Sequence, residues 1–501
     1  MPIPTIFVYK TQLTKLLLLI TSLFFISQSL ADVSISIDKG LVNKSFTGKV
    51  YVIIAPVKKD SMPLQTNYWF LPIEIISKEV KDWDGKSAIL INRNDTRYIK
   101  ETSADDVNYE LQVLIRVNKR NADPFSSPGN IYSAPIALTS SAHKSLDLSV
   151  VATKVIDQDS PLQKSKPPET EQLKLFSRQS QLLSEFFEQD YSVNVAVRLP
   201  KEWASNSEKK WPVLYYISGM GGNELEFLRL VKGREAYFDK MITVSVDAMN
   251  YGGHSVFADS ANTGPWASML LNEIIPHVDS TYRGVGAEQR YLTGISSGGW
   301  SSLWLQVKYP TDFSGVWSFV PDPVDFRDFQ RINLYSSNQN FYVDSLGEDR
   351  LVARTSKGKV LIKSRDFISL ETALGEGGQI RSFEYVFSPR GEDGMPIDFF
   401  DRQTGEINRQ VIEAWKPYDI RLYLKKNWSI IKDNLSGKLN IYGGEKDNFF
   451  LEGAVRLLKE QLVYLDAKED VEVISGLGHA FDQEKVEEML KVIVGSESVK
   501  Q

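Results

Sequence analysis

The 501-residue sequence contains no cysteine. Disulfide bonds, cysteine-ligated metal centres and a cysteine nucleophile are therefore excluded. Histidine is scarce as well, with four residues in the whole chain, so any chemistry that needs an imidazole has few candidates. The chain is longer than one ordinary domain and can bury a sizeable core, so it does not need crosslinks for stability.

The sequence also lacks an excess of positive charge. Its 58 Lys and Arg stand against 64 Asp and Glu, which gives a formal net charge of −6 at pH 7. Nucleic-acid binding depends on clustered positive charge, so we expect no nucleic-acid partner. Beyond the first thirty residues there is no long hydrophobic run, and we expect no membrane span in the mature chain.

The first thirty residues differ from the rest. Lys10 and Lys15 precede a short apolar stretch at 16–26, and small residues follow at Ser29 and Ala31. This pattern is typical of a signal peptide. We predict that residues 1–31 are removed and that the mature protein, which starts near Asp32, is periplasmic or secreted.

The remainder divides into segments of different pattern. Residues 32–155 contain short alternating strands and predict a small β-sandwich-like accessory domain. Residues 156–170 are polar and proline-bearing, as in a linker, although the apolar spacing over 170–186 favours a helix. From 171 to 497, apolar strands alternate with helices, which predicts an α/β domain with a mostly parallel sheet covered by helices on both faces. The aromatic-rich stretch at about 325–430 interrupts this rhythm and is interpreted as an insertion.

The best candidate for a reactive residue is Ser296. It lies in the run Gly294-Ile295-Ser296-Ser297-Gly298, after a predicted strand and before a predicted helix. Glycines on both sides of a serine permit the sharp strand-to-helix turn that exposes a nucleophile. A serine hydroxyl also needs a base within hydrogen-bonding reach and an acid that orients the base.

The order of such a triad in this fold is serine, acid, histidine. His143, His254 and His277 all precede Ser296, and only His479 follows it. His479 comes directly after the last predicted strand, where the base of such a site is expected. We therefore predict that His479 is the general base.

The acid is less firmly determined. Asp447 and Glu445 both follow the strand before the last one, and we favour Asp447 with Glu445 as the reserve. Asp322 and Asp325, after the strand that follows Ser296, are a further alternative.

An oxyanion hole needs two backbone N–H groups directed at the developing negative charge. We predict that Ser297, the residue after the nucleophile, supplies one. Met220 in the glycine-rich turn 218–222, which follows an earlier strand, supplies the other.

At these motifs the chain resembles the putative-esterase family, which includes esterase D (S-formylglutathione hydrolase), enterochelin esterase, feruloyl esterases and mycolyltransferases. The resemblance covers about residues 180–495, including the turn 218–222, the helix 266–282, the nucleophile motif and Gly478-His479. It implies an α/β-hydrolase fold and ester hydrolysis through an acyl-enzyme, without metal or cofactor. It implies that Ser296 is the nucleophile, Asp447 the acid and His479 the base.

The resemblance also bears on the substrate. We expect a small-molecule or glycan-linked ester, and Trp266 at the start of the helix 266–282 is a candidate substrate-binding residue. The chain departs from many members at the oxyanion turn, where Ser218-Gly219 replaces His-Gly. The long insertion also prevents the transfer of a substrate from compact members.

Two other functions use the same sequence features. An acyltransferase would employ the same triad with an alcohol in place of water. A binding protein could retain a hydrolase-like shell without catalysis. The oligomeric state is not encoded in any pattern that we recognise.

Overall fold

The computed structural model of the chain describes residues 32–69, 71–101, 107–120, 122–139, 146–163 and 166–495. The predicted signal peptide at 1–31 lies outside the described residues. Within them, no helix combines the length and the apolar character that a membrane crossing requires.

The chain divides into two compact units. One comprises the described residues up to Thr66, from Pro72 to Ile115 and from Ile131 to Lys154. The other comprises Asn67–Leu71, Arg116–Asn130 and the chain from Val155 onward, and it is called the catalytic unit below. Two short segments of the predicted accessory region therefore group with the catalytic unit.

The first unit is built from β-strands. Its described part contains a sheet of order β4-β1-β9 and a second sheet in which β7, β6, β2, β3 and β5 are neighbours. The strands of the N-terminal region are β1 (Val33–Ile37), β2 (Phe46–Pro56), β3 (Ile73–Trp83), β4 (Ile89–Ile91), β5 (Thr96–Lys100), β6 (Tyr109–Arg116), β7 (Ile131–Tyr132), β8 (Ile136–Leu138), β9 (Leu148–Ala152) and β10 (Lys154–Val155).

The catalytic unit is organised around one large sheet of order β11-β12-β14-β13-β19-β20-β23-β24. Its strands from β14 to β24 along this order run parallel, whereas β12 is antiparallel to both of its neighbours. These strands are β11 (Leu173–Gln179), β12 (Ser192–Arg198), β13 (Val213–Ile217), β14 (Ile242–Val246), β19 (Arg290–Ile295), β20 (Gly315–Phe319), β23 (Leu439–Gly444) and β24 (Asp470–Ile474). Every residue of β13, β14 and β20 is buried, which requires cover on both faces. The predicted mostly parallel α/β sheet is confirmed.

Smaller elements complete the catalytic unit. The short strands are β15 (Met249–Asn250), β16 (Gly253–His254), β17 (Asp259–Ser260), β18 (Gly264–Pro265), β21 (Leu351–Arg354) and β22 (Val360–Lys363). The helices are α1 (Gln181–Phe187), α2 (Leu228–Val231), α3 (Glu235–Phe238), α4 (Trp266–Met269), α5 (Ile275–Tyr282), α6 (Ser297–Lys308), α7 (Ser364–Leu374), α8 (Gln379–Phe387), α9 (Arg409–Trp415), α10 (Ile420–Leu435), α11 (Glu452–Tyr464) and α12 (Gln483–Val494). A π-helical segment, Leu270–Ile274, joins α4 to α5.

The helix predicted over 170–186 is wrong in its first half. Residues Leu173–Gln179 form β11, which pairs antiparallel with β12 along its whole length. The helix α1 begins only after Ser180, whose Oγ accepts a hydrogen bond from Leu183 N at 3.0 Å. Pairing with the edge of the large sheet therefore outweighs the helical spacing of the leucines.

The region between β20 and β23, which includes the predicted insertion, contains an aromatic cluster. Trp415 is fully buried, and its ring centroid lies 4.5 Å from that of Phe399, 5.3 Å from Phe387 and 5.7 Å from Phe329. Its indole N–H donates to Ser388 Oγ at 2.9 Å. This cluster anchors α8 and α9, and α8 carries residues of the site described below.

We expect Trp415→Ala to lower the free energy of unfolding by about 3–5 kcal/mol, because it leaves a large cavity among packed rings. Ile430→Ala is the control, since Ile430 is 76% exposed and its truncation should change stability by about 0.5 kcal/mol or less. Urea unfolding followed by circular dichroism measures both. Equal losses in the two variants would contradict the assigned core.

Candidate active site

Ser296 lies at a sharp turn between β19 and α6. Its backbone angles are φ 59° and ψ −124°, a conformation that a non-glycine residue rarely adopts. The turn is held from both sides, because Ser296 N donates to Phe319 O at 3.1 Å and Ser296 O accepts from Trp300 N at 2.9 Å. Strain that is held in this way is typical of the nucleophile turn of a serine hydrolase.

The two glycines of the motif are required by close backbone packing. A Cβ at Gly298 would overlap the carbonyl oxygen of Ile217, and a Cβ at Gly294 would overlap the carbonyl oxygen of Gly298. Neither obstacle is a flexible side chain that could move aside. The G-x-S-x-G spacing thus reflects how tightly the turn packs against the end of β13.

His479 and Asp447 are brought together by the ends of adjacent strands. Asp447 follows β23 and is fully buried, and its Oδ2 lies 2.8 Å from Nδ1 of His479, which follows β24. The ring of Phe449 packs edge-on against the imidazole, with centroids 4.8 Å apart. Because Nδ1 faces the carboxylate, Nε2 is left as the proton acceptor.

Two of the other acids considered from the sequence, Glu445 and Asp325, have different partners. Glu445 accepts hydrogen bonds from Ser475 Oγ and Gly476 N. Those bonds lower its pKa. Asp325 is ion-paired with Arg327 at 2.6 Å and with Arg421 at 3.4 Å. Asp447 is the acid that contacts His479.

The turn that carries Met220 packs directly on the nucleophile. A Cβ at Gly219 would lie only 3.2 Å from Ile295 O and 3.4 Å from Ser296 Cβ, so the backbone approaches closely here. Ser297 is the first residue of α6, and the first N–H groups of a helix have no partner within it. The two predicted oxyanion donors are therefore on segments that flank Ser296.

His254 supports this turn, a role that the sequence alone did not suggest. It is buried, and burial lowers its pKa to about 4, so the ring is neutral. Val256 N donates to its Nδ1 at 2.9 Å. The proton is then on Nε2, which donates to Ser218 O at 3.0 Å. The only sequence signal for this role is a histidine in a glycine-rich loop. Its partner, Ser218, lies 36 positions earlier in the chain, so the contact could not be predicted from local sequence.

Asp322 lies beside the nucleophile. Its N–H donates to Ser296 O at 3.2 Å. Its Oδ2 accepts from Ser297 Oγ at 2.5 Å and from Gln379 Nε2 at 3.1 Å. Its Oδ1 accepts from Ser296 Oγ at 3.4 Å. Burial raises the pKa of Asp322 to about 6, against the lowering effect of Ser297 and His479.

Ser296 and His479 open into one cavity of about 570 Å³. The inserted region supplies much of its apolar wall, including Phe367 and Phe383. Trp69, from the segment Asn67–Leu71 of the catalytic unit, lines it too and packs against Phe367 with ring centroids 5.0 Å apart. Cavities of this size and apolar character are typical of small-molecule sites.

Trp266 is not part of this cavity wall. It is fully buried, its indole N–H donates to Thr263 O at 2.9 Å, and its ring packs edge-on against Phe257 and Tyr191. Trp266 is therefore packed in the core, at the wall of a second cavity of about 240 Å³, and its role in substrate binding stays a prediction. In the described part of the chain, no group of three or more His, Asp or Glu residues is placed to hold a metal ion.

We expect Asp322→Asn to change stability in a pH-dependent way. The pKa of Asp322 is raised in the folded protein, so its stabilising contribution is present at low pH and is lost as the pH rises through about 6. The variant should therefore gain stability relative to wild type, by on the order of 1 kcal/mol, between pH 5 and pH 8. Urea unfolding at both pH values measures this. A difference that does not change with pH would contradict a buried, titrating Asp322.

Comparison with families of known proteins gives a match over part of the chain. A family model described as "Putative esterase" matches residues 185–362, a range that contains Ser296, Met220 and Ser297. Asp447 and His479 lie beyond the matched range.

Solved structures of related type include a ferulic acid esterase, at 16% identity and a TM-score of 0.39, covering 64% of this chain and 98% of that one. An S-formylglutathione hydrolase from Agrobacterium tumefaciens is 16% identical with a TM-score of 0.39, covering 64% and 94%. A fluorophosphonate-binding serine hydrolase from Staphylococcus aureus is 13% identical with a TM-score of 0.41, covering 64% and 98%.

The predicted resemblance to the putative-esterase family is thus confirmed over residues 185–362, and the catalytic unit has the mostly parallel sheet and the sharp serine turn of the α/β-hydrolase fold.

Proposed function

We propose that the protein hydrolyses a carboxylic ester through an acyl-enzyme formed on Ser296, with His479 as base and Asp447 as orienting acid. The observation that carries this proposal is the 2.8 Å contact between His479 Nδ1 and Asp447 Oδ2, in a site whose cavity also contains Ser296 on its strained turn. A serine with an oriented imidazole is the arrangement that activates a hydroxyl for acyl transfer.

The reaction proceeds in two halves. Ser296 Oγ attacks the ester carbonyl carbon while Nε2 of His479 takes its proton, and the N–H groups of Met220 and Ser297 stabilise the oxyanion. The bond to the alcohol oxygen breaks, and the alcohol leaves with the proton from His479. Water then attacks the acyl-enzyme and gives a proton to His479, which returns it to Ser296 Oγ as the bond to the acyl carbon breaks and the carboxylic acid is released.

The two alternative functions differ from hydrolysis in different ways. An acyltransferase shares the first half of the reaction, whereas a binding protein carries out neither half. If an alcohol replaces water in the second half, the protein is an acyltransferase. We favour hydrolysis because the family match describes an esterase. A non-catalytic binding protein would not need a strained Ser296 or an oriented His479.

We also propose that the protein is exported and acts in the periplasm or outside the cell. This proposal rests on the basic and apolar pattern of residues 1–31 alone. The substrate is an ester of a small molecule or of a glycan.

We expect Ser296→Ala to abolish hydrolysis of 4-nitrophenyl acetate and covalent labelling by a fluorophosphonate probe, because both need the Ser296 hydroxyl. Ser302→Ala is the matched control, since Ser302 is a buried serine on the same helix whose Oγ donates to Gly299 O at 2.9 Å. It should keep activity and labelling.

Equal activity in Ser296→Ala and wild type would contradict the nucleophile. If wild type neither hydrolyses esters nor takes the label, the binding-protein alternative is favoured. A transferred acyl product that dominates when an alcohol is added would favour the acyltransferase.

We expect Asp447→Asn to lower kcat by roughly 10³–10⁴-fold, because His479 loses the carboxylate that fixes its tautomer. Glu445→Gln is the matched control, two residues earlier in the same loop, and should stay within about twofold of wild type, because Glu445 contacts Ser475 and Gly476 and not the imidazole. Steady-state rates with 4-nitrophenyl acetate measure both. A larger loss in Glu445→Gln would reverse the assignment of the acid.

A further inference from the structure

The two carboxyl oxygens of Asp322 accept hydrogen bonds from different donors. Oδ2 is held by Ser297 Oγ at 2.5 Å and by Gln379 Nε2 at 3.1 Å, and neither donor takes part in proton transfer. Oδ1 accepts a hydrogen bond from the nucleophile itself, Ser296 Oγ, at 3.4 Å. The residue is only 4% exposed, and it lines the catalytic cavity.

The reaction removes the donor from Oδ1. Once Ser296 is acylated, its Oγ is an ester oxygen that carries no hydrogen and cannot donate. Oδ1 is then a buried acceptor at the reacting centre, and a buried acceptor without a donor is unfavourable. Oδ1 is then available to a donor that enters the cavity.

The cavity wall has few positively charged side chains that could donate a hydrogen bond to Asp322 Oδ1. Among its described lining residues, His479 is the basic side chain, and no Lys or Arg is present. His479 already faces Asp447 through Nδ1 and needs Nε2 for proton transfer. The basic side chain of the described wall is thus already engaged, and a donor group on the substrate can take the place of Ser296 Oγ at Oδ1.

Other carboxylates of the wall are engaged differently. Glu371 accepts hydrogen bonds from the backbone N–H groups of Ile380 and Arg381, and Glu376 is ion-paired with Arg381 at 2.9 Å. These bonds do not involve Ser296. Asp322 is distinguished from them because its Oδ1 bond is lost when the nucleophile reacts.

We propose that Asp322 is a specificity-determining residue that accepts a hydrogen bond from the substrate, and that the enzyme prefers esters with a hydroxyl or ammonium group close to the ester carbonyl. The same carboxylate disfavours substrates with a negative charge at that position, because like charges repel in a buried site. This inference rests on the proposed ester hydrolysis at Ser296 and names the class of ester.

A panel of ethyl esters with matched chains tests the proposal by pH-stat at pH 7.5. It contains ethyl butyrate without a donor, ethyl 3-hydroxybutyrate with a hydroxyl, ethyl 3-aminobutyrate with an ammonium group, and monoethyl succinate with a carboxylate. The ester 2-hydroxyethyl butyrate places the hydroxyl on the alcohol side. We expect kcat/KM for at least one donor-bearing ester to exceed that for ethyl butyrate by about tenfold or more, and monoethyl succinate to be the poorest.

Asp322→Asn should reduce the preference for the ammonium ester by about tenfold, and that for the hydroxyl esters less, because a neutral amide oxygen still accepts a hydrogen bond, though a weaker one. Asp322→Ala should abolish both preferences and serves if the Asn variant fails to fold. Glu376→Gln is the matched control, since it removes one charge from the same wall. Its ratio of donor-bearing to donor-free substrate should remain that of wild type.

Wild-type ratios near one across the panel would overturn the proposal, as would ratios that Asp322→Asn and Asp322→Ala leave unchanged. An equal change in Glu376→Gln would also overturn it, because the general charge of the cavity would then be responsible. These outcomes differ from failure of the proposed function, in which wild type hydrolyses none of the esters and takes no fluorophosphonate label.

Discussion

The site depends on one steric constraint, the contact of the nucleophile turn with the end of β13. Gly298 sits so close to the carbonyl oxygen of Ile217 that no side chain fits there. This packing holds Ser296 at a positive φ of 59° and places the turn carrying Met220 next to it. The proposed oxyanion donors and the proposed nucleophile are thus positioned by the backbone of two neighbouring parallel strands, β13 and β19. A rigid sheet orients reacting groups more accurately than loops alone can do.

The same sheet accounts for the convergence of the remaining residues. Ser296 follows β19, Asp322 follows β20, Asp447 follows β23 and His479 follows β24, and these strands are consecutive neighbours in parallel orientation. The carboxyl ends of parallel strands share one edge, so residues that are 183 positions apart in the sequence meet there. The order of the strands therefore brings these four side chains to the same edge of the sheet.

The dependence of the site on strand order explains which of its parts could be predicted from the sequence. The motif around Ser296 could be predicted because the close backbone packing of the turn requires glycine at Gly294 and Gly298. These glycines are visible in a short stretch of sequence. His479 could be predicted because no other histidine follows Ser296, which is a result of scarcity and not of a motif. Asp447 and Glu445 are indistinguishable in sequence, because the choice depends on which side chain points toward the imidazole. The strand at Leu173–Gln179 was mistaken for a helix because its pairing partner, β12, is not visible in local spacing.

The cavity wall was the least predictable part. Trp69 belongs to a five-residue segment, Asn67–Leu71, within a region otherwise read as accessory, and its contact with Phe367 spans about 300 positions of the chain. Trp266, by contrast, is an aromatic residue of a type common in binding sites, but its side chain is packed in the core. Aromatic side chains serve both purposes with the same physical chemistry, so only their surroundings distinguish them.

Asp322 illustrates why a buried charge near a nucleophile needs a functional explanation. A carboxylate beside the nucleophile has the same sign of charge as the oxyanion that develops in the transition state, and its burial is itself unfavourable. A hydrophobic residue at this position would avoid both costs. The bonds from Ser297 and Gln379 stabilise one oxygen through the whole cycle, whereas the bond from Ser296 lasts only until the serine is acylated. A hydrogen-bond donor on the substrate would compensate Asp322 Oδ1 after Ser296 is acylated. A substrate without such a donor would leave this carboxylate oxygen without that hydrogen bond during the reaction.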